Sequence, residues 1–108
     1  MEHLNRIQIR GTVGAVRLNE IHGTKVANFS VATEYLKQMP GGSPACEVTW
    51  HNVVCWQSES ADSLESIDRG TAVYVEGRMR STQYTSSSGE KKNFYEIVAT
   101  RLEVVKKC

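Results

Sequence analysis

Between Val48 and Trp56 the chain alternates. In an extended strand Val48, Trp50, Asn52, Val54 and Trp56 point one way, while Thr49, His51, Val53 and Cys55 point the other. Both tryptophans of the protein therefore share a strand face, barring a bulge between them. At ~3.3 Å per residue their Cα atoms lie roughly 20 Å apart, too far for the rings to stack on each other. Rings of this size either fill a core or, if exposed, form two separate flat platforms.

The same period-two reading predicts four more strands. The first runs from about Asn5 to Val16, with Ile7 and Ile9 on one face and Arg6, Gln8 and Arg10 on the other. Gly11 and Gly14 interrupt it, as glycines do at bulges and barrel corners. A turn-rich connection, Asn19 to Thr24, leads to a second strand from Lys25 to about Tyr35, where Ala27, Phe29, Val31, Thr33 and Tyr35 share a face and Phe29 and Val31 read as core. Met39 to Pro44 holds both prolines and two adjacent glycines, a flexible loop before the tryptophan strand. Ser58 to Arg69 is the one stretch with helical spacing, through Ala61, Leu64 and Ile67, and Gly70 sits where a C-terminal glycine would end the helix. The fourth strand spans Ala72 to Tyr84. Its Val73, Val75 and Met79 are expected inward, its Tyr74, Glu76, Arg78, Arg80, Thr82 and Tyr84 outward, and Gly77 allows a bend. A polar hairpin loop, Thr85 to Lys92, precedes the fifth strand from Asn93 to Val105. Five strands with one short helix between the third and fourth is the order of the OB-fold, an all-β five-stranded Greek-key barrel.

Composition narrows the classes. The 108 residues suit one domain, residues 1–108, with 40% apolar and 23% charged residues, ordinary for a globular chain. No apolar run approaches the ~20 residues of a membrane helix, and Met1 to Arg6 lacks the apolar stretch of a secretory signal, which predicts an intracellular protein. Cys46, Cys55 and Cys108 form neither a disulfide framework nor a common zinc pattern; reduced thiols and no metal or cofactor are expected. The formal charge of +1 hides a segregation. Glu47 to Asp68 contains five acidic residues and no Lys or Arg, whereas Arg69 to Lys92 contains five basic residues against two acidic. A polyanion would approach one side of such a protein and be repelled from another, although solvated surface charge gives similar tallies.

Several blocks now line up in order: Asn5-Arg6-Ile7, Val26 to Thr33, Trp50 to Val54, Arg69-Gly70, Val73 to Arg78, and Tyr84 followed by Ser88-Gly89. Over nearly its whole length the sequence resembles the bacterial single-stranded DNA-binding protein family. The resemblance implies an OB-fold whose aromatic side chains stack on bases while basic side chains track the phosphates. Carried over residue by residue, it puts Trp50, Trp56 and Tyr84 at stacking positions and Arg17, Arg69 and Arg80 at basic positions. Strand parity adds Arg78, and place beside the fifth strand adds Lys91 and Lys92. Lys37 stands where some members have a further stacking Trp, Asn52 where some have Arg, and Thr82 and Gln83 where some have basic residues; Tyr35 is a candidate for the missing ring. The resemblance also implies a homo-oligomer, a tetramer or a dimer, paired partly through first strands, with Asn5, Ile7, Ile9 and His51 at the interface. It further implies a bacterial, cytoplasmic, nucleoid-associated protein of DNA replication, recombination or repair. The chain ends Val104-Val105-Lys106-Lys107-Cys108, without the acidic tail through which family members recruit replication and repair proteins.

Two other classes compete. Catalysis would need a nucleophile beside a base, but His51 and Cys55 are four residues apart on one strand face, roughly 13 Å at ~3.3 Å per residue. No catalytic residue is expected. The second rival is an accessory OB-fold protein resembling the primosomal replication protein N, acting mainly through protein partners.

Overall fold

The computed structural model describes residues 3–59 and 61–105. It contains β1 (Ile7–Ile21), β2 (Thr24–Gln38), β3 (Pro44–Trp56), β4 (Ala72–Thr85) and β5 (Lys91–Val104), closed as a barrel in the order β1-β2-β3-β5-β4. Neighbours are antiparallel except β3 and β5, which touch in parallel over three pairs, Val53↔Ile97 to Cys55↔Ala99. This is the OB-fold that the element order predicted. Cys108, Lys106 and Lys107, and Ser60 within the expected helix, lie outside the described residues.

β1 closes the barrel because it has two partners, β4 through Ile7 to Thr12 and β2 through Thr12 to Ile21. A bulge between Val13 and Val16 reverses its facing where the partner changes, so Ile7, Ile9 and Val13 point inward before it and Val16 after it. The close approach of the β2 backbone demands glycine at Gly11: a Cβ there would stand 2.2 Å from the Ala32 carbonyl oxygen. β1 does not end at Val16. It runs to Ile21 and turns on His22-Gly23, both at positive φ (51° and 80°), so the longer connection expected over Asn19 to Thr24 is a two-residue hairpin.

β2 and β3 pair without a break from Val26↔Trp56 to Gln38↔Pro44, and β4 and β5 pair as far as Thr85↔Lys91. Both hairpins thus outrun the barrel as two-stranded ribbons, and the loops they leave, 39–43 and 86–90, are shorter than expected. Met79, expected inward, sits where β4 leaves the barrel and is 42% exposed. Inside, Val13, Phe29, Val31, Val53, Val73, Val75, Ile97 and Leu102 pack with Leu64 and Ile67 from the β3–β4 connection. Each such burial contributes ~1.5–3 kcal/mol.

That connection is not the helix expected over Ser58 to Arg69 but a single 3-10 turn, Leu64–Ser66. Its polar groups bond to other elements instead of to a helical ladder. The Asp62 N–H donates to the Leu102 carbonyl (3.0 Å), the Asp62 carboxylate accepts from the Val104 N–H (2.7 Å), and Gln57 Oε1 accepts from the Leu64 N–H (3.0 Å). Serine hydroxyls compete for the same backbone, as Ser66 Oγ does in donating to the Ser63 carbonyl at 2.6 Å. Nucleating a short helix is costly, and tertiary partners outbid it. Leu64 and Ile67 are nevertheless buried as the helical pattern required, since a tight turn also presents residues three apart to one side.

Candidate nucleic-acid interface

Because the β2–β3 register has no bulge, alternation holds along all of β3. Trp50 and Trp56 share the outer face and are 60% and 43% exposed, while Val53 and Cys55 fill the core. Trp50 does not hang free. A Cβ on Gly14 would lie 2.6 Å from its Cζ3 and 2.7 Å from Ser30 Oγ, so the indole rests on the bare backbone beside the β1 bulge.

Register extends the face across the sheet. Arg17 pairs with Asn28, Asn28 with Val54, Val54 with Val98 and Val98 with Arg78, placing two arginines at the ends of one outward row. The next row holds Ser30 opposite Asn52 and Glu96 opposite Arg80. Beyond it come Trp50 on β3 and Phe94 on β5, and then Tyr84 paired with Lys92 near the tip of the β4–β5 ribbon. Two grooves follow this surface. One, of about 410 Å³, lies over Arg17, Asn28, Ser30, Asn52, Phe94 and Glu96. The other, of about 290 Å³, opens where β3 and β5 splay apart and is lined by Trp50, Asn52, Phe94 and Glu96 among others. Sharing Asn52, Phe94 and Glu96, they form one run from Arg17 to Trp50.

Phe94 was absent from the sequence-derived site. Asn93-Phe94-Tyr95-Glu96 carries two adjacent aromatics that must face opposite ways; Phe94, paired with Thr82, lines both grooves, whereas Tyr95 borders only the second. That alternation was the available signal.

Other expected residues are placed differently. Tyr35 and Lys37 share the inward-facing parity of Phe29 and Val31, on the reverse of the ribbon from Trp50, and Lys37 pairs with Glu47 at 2.6 Å. The structure does not bring them to the groove. Lys91, paired with Thr85, faces opposite to Lys92. Arg69 sits in the turn before β4, where the Gly70 N–H donates to the Val13 carbonyl (2.8 Å) next to Gly14, and it lines neither groove. Arg80 stands beside the groove opposite Glu96, and its Nε donates to Glu96 Oε1 (3.0 Å) while a terminal nitrogen of the guanidinium contacts the same oxygen.

Of the residues expected at an interface, His51 borders the second groove and Asn5, Ile7 and Ile9 lie away from both. Ile7 and Ile9 are half-buried against the core. The Asn5 carboxamide donates to the Met79 carbonyl (2.6 Å) and accepts its N–H (3.0 Å), prolonging the β1–β4 ladder by a side chain. His51 Nε2 lies 2.9 Å from Thr33 Oγ1, and burial lowers its pKa, so the ring is neutral at pH 7. Burial pushes the Cys55 thiol up to about 11, the opposite of an activated nucleophile. On the outer face of β1 and β4, Tyr74 Oη donates to Glu76 (2.9 Å); that bond raises the phenol and, with Gln8 and Arg6 nearby, lowers the carboxyl. Among the described residues no group of three or more His, Cys, Asp or Glu is arranged to hold a metal, and no helix is long and apolar enough to cross a membrane.

Residues 4–105 match the model of the single-strand binding protein family. The chain belongs to that family. It is 32% identical over 111 residues to single-stranded DNA-binding protein 1 of Xylella fastidiosa, covering 99% of this chain and 81% of that one. With the single-stranded DNA-binding protein of Neisseria meningitidis serogroup A it shares 29% identity over 106 residues, 94% of this chain. The aligned region spans only 60% of the Neisseria protein's length. The fold is similar to that of a Plasmodium falciparum SSB solved in complex with ssDNA, with a TM-score of 0.84 and 24% identity over 98% of each chain. At that identity the likeness is one of fold.

Proposed function

We propose that residues 1–108 act as one non-catalytic OB-fold domain that binds single-stranded DNA without strong sequence preference. The observation that carries this reading is the groove itself: Trp50, Phe94 and Tyr84 offer exposed rings on one face, Trp56 extends it along β3, and Arg17 and Arg78 flank it. Every base has a π-face, so stacking at ~1–3 kcal/mol per base holds a strand whatever its sequence. Arginines beside the rings supply a phosphate term that weakens as salt displaces the released counterions. A duplex hides its base faces and gains only that second term.

Such a domain would coat or present single strands during replication, recombination or repair in the bacterial cytoplasm, as a homotetramer or homodimer of this chain. Catalysis has no support in the site, because Cys55 is buried with a raised pKa and His51 is occupied by Thr33. The test is a titration with oligo-dT at low salt, following tryptophan emission. Strong quenching is expected, with much weaker binding of a duplex of equal length. Absence of quenching, or equal affinity for duplex, would overturn the reading.

A further inference from the structure

A groove built only to stack bases and neutralise phosphates has no use for a fixed anion, yet Glu96 lines both halves of this one. Its side chain is only 14% exposed and is anchored through one oxygen, Oε1, which takes both Arg80 donors. No hydrogen bond to Oε2 occurs among the described residues, and no side-chain oxygen of a non-exposed residue is both fully buried and unpartnered, so Oε2 is free of a protein partner and not sealed from the groove. Around it stand other hydrogen-bonding groups, Ser30 and Asn52 across the same row, beside the row that carries Trp50 and Phe94.

An ionised carboxylate accepts hydrogen bonds and donates none. It repels a phosphate, so a strand crossing this point must turn a base edge, not its backbone, toward Glu96. Cytosine and adenine present an exocyclic amino group there, and guanine presents two parallel N–H donors. Thymine offers a single N–H set between two carbonyl oxygens, which a carboxylate cannot approach without meeting one of them. We infer that Glu96 is a base-edge acceptor, giving one subsite of an otherwise permissive groove a preference for amino-bearing bases over thymine. Arg80 is then a positioning residue that holds the carboxylate in place, not a phosphate ligand.

The inference rests on the proposed single-stranded DNA binding, and the experiment separates the two. Oligo-dC and oligo-dT of equal length are titrated into the wild-type protein and into Glu96→Gln, following tryptophan emission. A carboxamide keeps the size of the side chain but loses the charge and turns a donor to the base. The ratio of dC to dT affinity is expected to fall by about fivefold or more in the variant, as one base-edge hydrogen bond is worth. Because Arg80 leans on Glu96, thermal melts of the variant accompany the titrations. Glu96→Asp, which keeps the charge and withdraws it by one methylene, should lose the preference part-way. An unchanged dC to dT ratio in both folded variants overturns the inference and leaves strand binding standing; failure of both oligonucleotides to bind the wild type overturns both.

Discussion

Gly14→Ala tests whether the Trp50 platform is built as described, without touching the ring. The added Cβ would meet Trp50 Cζ3 at 2.6 Å, Cη2 at 3.1 Å and Ser30 Oγ at 2.7 Å. Carbon atoms in good contact stand ~3.5–4.0 Å apart, so the indole must retreat by about 1 Å. Ser30 is poorly placed to give way, because its Oγ accepts the Ala15 N–H at 3.1 Å beside the β1 bulge. Overpacking of this kind costs ~1–3 kcal/mol of stability. If the tilted ring forfeits half of one stack, binding weakens by ~0.5–1.5 kcal/mol, about two- to tenfold. Oligo-dT titration well below the melting temperature reads the affinity, and the wavelength of tryptophan emission reads the ring's new environment. An alanine variant with unchanged emission, melting temperature and affinity would refute the claim that the ring rests on this glycine and stacks from there.

Phe94→Ala should weaken oligo-dT binding by ~1–3 kcal/mol while Tyr35→Ala, on the reverse of the β2–β3 ribbon and outside both grooves, leaves it nearly unchanged; equal effects by titration would contradict the assignment of faces. Leu102→Ala, at a fully buried site packed against the β3–β4 connection, should cost ~2–5 kcal/mol in urea denaturation. Burial holds the His51 pKa below 6.5, so the unfolded chain takes up a proton that the fold refuses. Stability should therefore fall as pH drops below 6.5 and level off below the folded-state pKa, and His51→Gln should show a shallower fall in melting temperature between about pH 7.5 and 5.5. Among the described residues Arg17, Arg78 and Lys92 form no ion pair, whereas Arg80 and Lys37 do. Three free cations at roughly −0.7 each predict a slope near −2 per protomer in log affinity against log salt, and Arg80→Gln should leave that slope unchanged.

Much of this site was legible in β3, where strict alternation placed Trp50 and Trp56 together and Val53 and Cys55 opposite them. Alternation gives the two faces of one strand but not which face of a neighbour is level with them. Tyr35 and Lys37 illustrate the difference: their parity on β2 was plain, but only the pairing of Ala32 with Trp50 shows that they lie behind the ribbon. Phe94 was hidden for the same reason. Gly14 signalled a bulge, yet the reversal of facing between Val13 and Val16 depends on β1 exchanging one partner for another, a long-range event with no local trace. At Leu64 and Ile67 burial was readable while the backbone conformation was not, because the Leu102 and Val104 backbone groups that capture Asp62 lie some forty residues away.

The position of the groove follows from strand length. The barrel interior is filled with packed aliphatic side chains together with Phe29 and Cys55, and the grooves lie outside it. Closure needs only short contacts, and β3 meets β5 over just three residue pairs. Past that contact β3 and β5 continue, each held by its own hairpin partner, and diverge because no further pairing draws them together. The gap between them is floored by the residues that would have faced each other had the pairing gone on: Trp50 and Asn52 on one ribbon, Phe94 and Glu96 on the other. A shorter pair of hairpins would close the same barrel with the same core and leave no cleft. Stability and recognition are thus assigned to different lengths of the same strands, and for this reason substitutions at Trp50 or Phe94 should cost affinity without costing the fold.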